Sequence, residues 1–472
     1  MRIRLLNTAC NEDAPPMNLL YLATALRHSG FKDTAIIDNT FGGVDVFRQA
    51  KTADLVGISA MTRHYRAACA IAGRLKSATG MPVIVGGSHI STLPDSLTQD
   101  FSFGVIGEGE YTLVELCRNL GESKDTPNTC AGIAGIVYRE KGAVVHTPAR
   151  DYEKNIDAIP LPDFALLDRR YFGKKWILWN NRFGRAMKII TARGCPYRCI
   201  FCASQKIWGG ARLHSAERIC REIETLVVGW GIDHIYIDDD LFIVNKERLG
   251  RVAYLLEKSG LGGRVTFFCT ARTNLIDDEM CRLLRRIGVR VLTFGFESGS
   301  DRVLRYLKGE NITVAQHLEA IRLCTAYGFK VWGSVMLGNP TETVEDMGKT
   351  IAFMDAAIKN GCHRIGVFVA TPLPGTAFWE IARQRGKVSE SMDFDTVDYA
   401  NVEAPALLES TVDAAAFRAI FRQAIRRHDR LLAKDVHCVA MALRLGKCVH
   451  AFLRDPRRAI TILKNMFLQS CG

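Results

Sequence analysis

The sequence predicts an α/β protein whose strands form parallel sheets. Apolar runs of about five residues alternate with amphipathic stretches of roughly ten to fifteen residues, which is typical of strand–helix–strand units. This alternation occurs in two series, and the 472-residue chain is too long for one hydrophobic core. We therefore expect an N-terminal doubly wound, Rossmann-like parallel sheet, a partial (βα)6 barrel of the TIM type, and a helical C-terminal segment.

The composition is that of a folded globular protein, with 48% hydrophobic and 24% charged residues. No apolar run approaches the roughly 18 residues of a membrane-spanning helix, and the start "MRIRLLNTACNEDAPP" has too short an apolar run for a signal peptide. These features predict a cytoplasmic protein, whose 15 cysteines stay reduced. A close group of cysteines then indicates a metal site rather than disulfides.

The first series covers residues 1–130 and predicts the Rossmann-like domain. Its strand candidates include "RIRLLN", "TAIID", "DLVGISA", "MPVIVGG" and "FGVIGEG". Ligands of such sheets bind at the carboxyl ends of the strands, where glycines allow a close backbone approach. The candidate cofactor-binding residues at those ends are Ser59, Gly86, Gly87, Gly107 and Glu108.

Residues 131–186 are interpreted as a hairpin followed by a linker. The stretch "AGIAGIVYREKGAVVHTPAR" has two apolar runs around Lys141 and Gly142, where we expect the turn. The following "NIDAIPLPDFALLD" is interrupted by prolines, which is typical of a linker packed against a domain.

The second series covers residues 187–400 and has six strand candidates, "MKIITAR", "HIYIDDDLF", "VTFFCTAR", "VLTFGFES", "VWGSVML" and "HRIGVFVAT". Six units are too few for a closed eight-unit barrel, so we predict a partial one. Functional residues of parallel barrels lie at the carboxyl ends of the strands. Polar residues follow these strands, among them Asp239, Arg272, Glu297 and Ser298.

Three cysteines, Cys195, Cys199 and Cys202, fall within eight positions directly after the first strand of this series, in "TARGCPYRCIFCASQK". A tetrahedral zinc site needs a fourth ligand, and the nearest histidine, His214, lies beyond the start of the next helix. A four-iron cluster held by three thiolates leaves one iron open to a small-molecule ligand. Zinc and three purely structural thiols remain as alternatives.

The Cys-x3-Cys-x2-Cys pattern, with Phe201 just before the last cysteine, resembles the radical S-adenosylmethionine (SAM) superfamily. Further stretches match the family in order from about Lys188 to Gly386, namely "IYIDDDLFIVN", "FGFESGS", "VMLGNPTETVEDMGKTI" and "VATPLPGTAFWEIARQRG". The resemblance implies a [4Fe-4S] cluster on the three cysteines, which binds SAM and cleaves it to a 5′-deoxyadenosyl radical.

The resemblance also implies that Phe201, Asp239, Arg272, Glu297 and Ser298 bind cofactor, with the acidic segment at the methionyl amine and Glu297 at the ribose hydroxyls. Each has a structural alternative. Glu297 and Arg272 could pair with each other at the barrel mouth, and the three aspartates around Asp239 could cap a helix or lie in solvent.

The first domain is similar to the cobalamin-binding domain found ahead of the radical domain in one branch of the superfamily, through "PPMNLLYLATALR", "GGSHIS" and "GEGE". It lacks the Asp-x-His-x-x-Gly motif that supplies a cobalt ligand in the mutases, since "DNTFGG" stands in that place. His64 and His89 are the nearest histidines, and we interpret both as loop or surface residues. The alternative for the whole domain is a scaffold that no longer binds corrin.

These features predict a radical SAM enzyme with a [4Fe-4S] cluster, SAM and cobalamin, which methylates an unactivated carbon of a small or lipid-like metabolite. The alternative is a cyclase or rearrangement enzyme without methyl transfer. The reductive cleavage implied by the family needs an electron donor, such as flavodoxin or ferredoxin.

The segment 401–472 is helical and basic, and the last 68 residues, from Pro405, hold more than half of the net charge of +12. Its amphipathic stretch "FRAIFRQAIRRHDRLL" suits either peripheral membrane contact or packing against the barrel. Nucleic acid is a disfavoured partner, because the segment has no basic motif interleaved with aromatics and no zinc-knuckle spacing.

Overall fold

The structure is a computed structural model that describes residues 1–8, 14–122, 130–177, 183–397 and 399–431. It contains two seven-stranded, mainly parallel sheets with helices packed on them, which confirms the predicted α/β class. The carboxyl ends of several strands of the first sheet, together with residues that follow two strands of the second sheet, line a shared cavity.

The first sheet has the strand order β2-β1-β3-β4-β5-β6-β7. The first five strands are parallel, and the order reverses direction between β1 and β3, which is where ligands of open α/β sheets bind. The strands are β1 Ile3–Asn7, β2 Thr34–Ile37, β3 Leu55–Ser59, β4 Val83–Gly86, β5 Phe103–Val105, β6 Ile136–Glu140 and β7 Ala143–His146.

Helices cover both faces of this sheet. For this reason both faces of β3 are apolar, and four of its five residues are buried. Gly57 in that strand lies so close to β1 that an added Cβ would meet Leu5 Cδ2 at 2.8 Å. The helices of this domain are α1 Met17–His28, α2 Val46–Ala50, α3 Tyr65–Thr79, α4 Ser88–Thr92 and α5 Gly109–Glu122.

The hairpin turns at Lys141 and Gly142 as predicted, and both have positive φ, at 49° and 87°. Its position differs from the prediction, because β6 pairs antiparallel with β5 and extends the first sheet. Ile136 and Val137 are fully buried in that domain. The strand thus covers an edge of β5 that would otherwise expose unpaired backbone groups.

The second sheet has the order β16-β15-β14-β13-β12-β9-β8. Six strands from β9 to β16 are parallel, and β8 runs antiparallel at one edge, so the barrel is open across the described residues, as predicted. These strands are β8 Lys175–Ile177, β9 Phe183–Ile189, β12 His234–Ile237, β13 Thr266–Ala271, β14 Val289–Glu297, β15 Lys330–Leu337 and β16 Cys362–Val369, with a separate short pair, β10 Ala192–Arg193 and β11 Arg212–Leu213.

The helices outside this sheet bury one apolar face each. In the helix Asp278–Ile287, for example, Met280, Leu284 and Ile287 recur at helical spacing and are buried, while Asp277 caps the first turn. The helices are α6 Arg170–Gly173, α7 Ser204–Trp208, α8 Ala216–Glu224, α9 Lys246–Lys258, α10 Asp278–Ile287, α11 Asp301–Lys308, α12 Val314–Ala326, α13 Val344–Lys359 and α14 Ala377–Gln384.

A final helix, α15, covers residues 414–431. It packs on the barrel through the fully buried Phe417 and Ala424, and Arg427 pairs with Asp355 of α13. The described part of the predicted basic segment therefore packs against protein, and residues 432–472 lie outside the described residues. No helix in the described ranges has the length and apolar character needed to cross a membrane.

Asp346 joins two helices behind the end of β14. Its carboxylate accepts hydrogen bonds from Ser300 Oγ at 2.7 Å and from Thr343 Oγ1 at 2.8 Å, and it pairs with Arg302. Burial alone would raise the pKa of Asp346, but these hydrogen bonds outweigh it and hold the pKa well below its usual range. The ionised side chain thus anchors the loop that follows Glu297.

We expect Asp346→Asn to lower the free energy of unfolding at pH 7 by about 2 kcal/mol, since hydrogen bonds to a charged group contribute about 1.5–3 kcal/mol. Because the folded pKa is depressed, this contribution is complete above the unfolded Asp pKa near 4 and is lost as the pH falls through the folded pKa. Urea unfolding at pH 7 and pH 3 measures it.

The matched control is Glu345→Gln, at the neighbouring and 79% exposed position, which should change stability by less than about 0.5 kcal/mol. A loss for Asp346→Asn that is equal at the two pH values would contradict the charged role of this carboxylate.

Candidate functional site

A cavity of about 340 Å³ lies between the two sheets. From the first domain it is lined by all five predicted strand-end residues, Ser59, Gly86, Gly87, Gly107 and Glu108. From the second domain it is lined by residues just before the first cysteine and after β12. Gly194, next to Cys195, and Asp238 and Asp240, on either side of Asp239, line it, but among the described residues none of the predicted second-domain site residues does.

The cysteine loop begins at Gly194, which lines the cavity and has φ 76°. A Cβ at this position would lie 2.2 Å from the carbonyl oxygen of Gly210, so only glycine fits. The loop backbone is tied down by Ile200 N, which donates to Leu307 O at 3.1 Å, and by the Gln205 amide, which donates to the carbonyl of Cys195. The loop is therefore held by its backbone.

Backbone and side-chain donors point at two of the three sulfurs. Arg272 Nη1 lies 3.4 Å from Cys199 Sγ, and Ser204 N lies 3.5 Å from Cys202 Sγ. Burial raises the pKa of Cys195 and raises that of Cys202 to about 11, so both are thiols until a metal displaces the proton.

No group of three or more His, Cys, Asp or Glu side chains in the described residues is arranged around one metal ion. The donors aimed at two of the sulfurs suit thiolates that hold an iron–sulfur cluster, because hydrogen bonds to such sulfurs tune the cluster.

Glu297 ends β14 with φ 64°, in the left-handed region, beside a register shift between β14 and β15. Its carboxylate is buried and lies 3.2 Å from Lys308 Nζ. The expected alternative partner, Arg272, does not pair with it, because Lys308 at the end of α11 reaches the carboxylate instead. Such backbone strain in a non-glycine residue is typical of functional sites.

Ser298 is fully buried next to Glu297, and its hydroxyl lies 3.2 Å from Thr350 Oγ1 and accepts from Ser300 N at 3.1 Å. Phe201 packs near Phe378 of α14, with 6.1 Å between the ring centroids. Both residues thus contact neighbouring elements of the second domain.

The structure gives Asp239 a part different from the predicted one. Its carboxylate is buried and accepts from Thr191 N at 2.6 Å and Ala192 N at 3.0 Å, so it holds the backbone that leads into the cysteine loop. Burial raises its pKa to about 6. In this segment it is the exposed neighbours of Asp239, Asp238 and Asp240, that line the cavity. Alternation along the strand end explains this, since successive side chains point to opposite sides.

A buried ion network joins the two domains at the cavity wall. Arg193, two residues before Cys195, donates to both Glu108 and Glu110 of the "GEGE" stretch, and Arg212 Nη1 donates to Glu108 at 2.8 Å. Burial alone would raise the pKa of Glu108, but the hydrogen bond from Arg212 and the charge of Arg193 lower it. Glu108 is therefore an ionised partner of two arginines.

The cavity wall offers space for a large group on the side of the first domain. A Cβ on Gly86 would meet only Val105 O, at 4.0 Å, and one on Gly107 would meet nothing within 4 Å. Glycines that border open space in this way fit a ligand lying against the strand ends, as a corrin would.

Neither His64 nor His89 lines this cavity among the described residues. The interpretation of His89 as a loop or surface residue is wrong. It is fully buried in α4, stacks on Tyr65 with 3.8 Å between ring centroids, and has a pKa lowered to about 3 by burial. His64 is partly exposed in a short turn.

Sequence reasoning missed Arg193, Glu110 and Lys308. Arg193 stands in the quoted "TARGC" stretch. A charged residue at the end of a predicted strand, two positions before a cysteine, could have marked it as a candidate site residue. Lys308 is the last residue of a helix, and no local pattern connects it to Glu297.

Two family models match the chain in order. A B12 binding domain model matches residues 3–117, and a radical SAM superfamily model matches residues 189–354. An uncharacterised methyltransferase of Pyrococcus horikoshii is 32% identical over 381 residues, which cover 78% of this chain and 78% of that protein.

Other similar proteins are more distant. An anaerobic magnesium-protoporphyrin IX monomethyl ester cyclase of Cereibacter sphaeroides is 24% identical over 352 residues, 71% of this chain and 55% of the cyclase. The structure of the radical SAM methyltransferase TsrM from Kitasatospora setae, with tryptophan and a SAM analogue bound, aligns with a TM-score of 0.66 at 22% identity over 81% of this chain and 76% of that one. This likeness supports the fold.

We expect Arg193→Met and Glu110→Gln to be strongly coupled in a double-mutant cycle. Breaking a buried ion pair leaves an unpaired charge and costs about 3–5 kcal/mol, so the coupling free energy should reach about 2 kcal/mol. Urea unfolding of the four proteins, followed by circular dichroism, measures it.

The control cycle uses Arg251 and Glu217, an exposed pair between two helices of the same domain with 51% and 53% exposure. Its coupling should stay below about 1 kcal/mol. Equal coupling in the two cycles would show that the Arg193 network does not hold the domains together.

Proposed function

This chain belongs to the radical SAM superfamily, in the branch with a B12-binding domain ahead of the radical domain, and on that premise we propose that it methylates an unactivated carbon of a small or lipid-like metabolite. It is an enzyme whose cofactors are SAM, a [4Fe-4S] cluster and cobalamin. The observation that carries the proposal is the cavity lined by the strand ends of the first domain and by Arg193 and Gly194, the two residues before Cys195.

When bound, these cofactors supply a 5′-deoxyadenosyl radical and a transferable methyl group. In the proposal, Cys195, Cys199 and Cys202 hold the cluster, and Arg272 and Glu297 lie beside it at neighbouring strand ends. The loop containing the cysteines is fixed by its own backbone, so the thiolates need little reorganisation.

The first domain supports cobalamin binding through Gly86 and Gly107, which leave open space at the strand ends. Much of the cavity wall is apolar, including Leu5, Ile58 and Leu113. An apolar wall excludes water, which protects reactive species from side reactions. The cavity is therefore suited to chemistry in which a radical and a methyl group must meet.

The name of the Pyrococcus horikoshii relative supports methyl transfer. The cyclase relative supports the alternative, a cyclisation or rearrangement without methyl transfer. In the proposal, the electron that reduces the cluster comes from a donor such as flavodoxin or ferredoxin.

We expect the wild-type protein, reconstituted anaerobically with iron and sulfide, to bind about four irons per chain and to show a reducible cluster signal in low-temperature EPR. The Cys195, Cys199, Cys202 triple-alanine variant should show neither. Cys69→Ala is the control, because Cys69 is also partly buried but lies in the first domain. A cluster retained by the triple variant would refute the assigned ligands.

We expect Gly86→Val to weaken hydroxocobalamin binding at least about tenfold, because the valine side chain would overlap with the bound corrin, and such overpacking costs about 1–3 kcal/mol. The EPR signal of the cluster should stay unchanged. Gel filtration with visible absorbance of the bound corrin measures it. Gly132→Val, at an exposed glycine with nothing within 4 Å of an added Cβ and outside the cavity, should bind as the wild type does.

A wild-type protein that holds the cluster and cleaves SAM but binds no cobalamin would favour the alternative, in which the first domain is a scaffold. Equal cobalamin binding by Gly86→Val and the wild type would place the corrin elsewhere.

A further inference from the structure

We propose that Arg272 sets the reduction potential of the cluster through a charged hydrogen bond to the sulfur of Cys199. The inference rests on the proposed function, because it takes Cys199 as a cluster ligand. It is more specific than the role predicted for Arg272 from the sequence, which was cofactor binding.

The guanidinium of Arg272 is held in one orientation by three elements. Nε donates to Asn274 Oδ1 at 3.0 Å, Nη2 donates to Lys308 O at 3.3 Å, and Cζ lies 3.9 Å from the ring centroid of Tyr197. Tyr197 belongs to the cysteine loop itself. Stacking and two fixed acceptors leave Nη1 directed at Cys199 Sγ, 3.4 Å away.

Arg272 is a buried cation, with 7% of its surface exposed, and no carboxylate within the described ranges pairs with it. Arg193, the other buried arginine next to the cysteines, is paired with two glutamates. A buried guanidinium without a counter-charge is costly. The sulfur of Cys199 is the acceptor that becomes anionic when a cluster is bound, so the cluster completes the charge balance.

The direction of the effect follows from charge. Reduction adds one electron to the cluster, and a fixed positive charge beside it stabilises the more negative, reduced form. Hydrogen bonds to the sulfurs and local net charge are established determinants of cluster potentials. The structure thus assigns to Arg272 the role of raising the reduction potential of the cluster in the SAM-free protein.

The test is an anaerobic redox titration of the reconstituted full-length protein without SAM, followed by EPR of the reduced cluster. We expect Arg272→Gln to shift the reduction equilibrium about tenfold toward the oxidised form, which is about 59 mV lower for a one-electron couple. Arg272→Lys keeps the charge but loses the planar fork, so its potential should fall between those of the wild type and Arg272→Gln.

The matched control is Arg364→Gln. Arg364 also stacks on an aromatic ring of the barrel, Trp332, with 4.2 Å to the centroid, but it lies near the start of β16, away from the cysteine loop. Its potential should equal that of the wild type.

An Arg272→Gln potential equal to the control's would overturn the inference, and so would weaker SAM binding without a change in the SAM-free potential. If Arg272→Gln assembles no cluster, Arg272→Lys decides, and a wild-type potential there overturns the inference. A wild-type protein without any cluster would instead refute the proposed function, so the two failures are distinguishable.

Discussion

Arg193 is the residue on which the arrangement of the two domains depends. Its buried guanidinium bridges Glu108 and Glu110 of the first domain, and it stands two residues before the first cysteine of the second. Charges buried this deeply are stable only as a set, because each one would be costly alone. The network therefore links the position of the cysteine loop to the glycine-lined strand ends.

The loop itself depends on groups that do not touch the cavity. Asp239 holds the backbone before the loop, and Leu307 O, at the end of α11, holds the backbone within it. The same helix end supplies Lys308, which contacts both Arg272 and Glu297. The end of one helix thus contacts both the loop of the proposed cluster ligands and the proposed SAM contacts. A shift of this helix end would therefore move both sites together.

Several features were predictable because they depend on local pattern. The alternation of apolar runs and helices predicted both sheets, and the spacing of Cys195, Cys199 and Cys202 predicted an open cluster site. The hairpin turn at Lys141 and Gly142 was predicted correctly, but its pairing with β5 was not predicted, because that pairing is a contact between separate segments of the chain.

By itself the sequence determined the fold class, the order of the domains and the residue types of the site, since these follow from periodicity, spacing and the family motifs. Only the tertiary structure decided which side chains meet. It turned Asp239 inward and its neighbours toward the cavity, paired Glu297 with Lys308, and placed Arg272 on Cys199. Those choices arise from packing between segments far apart in the chain, where a buried charge is costly without a compensating partner.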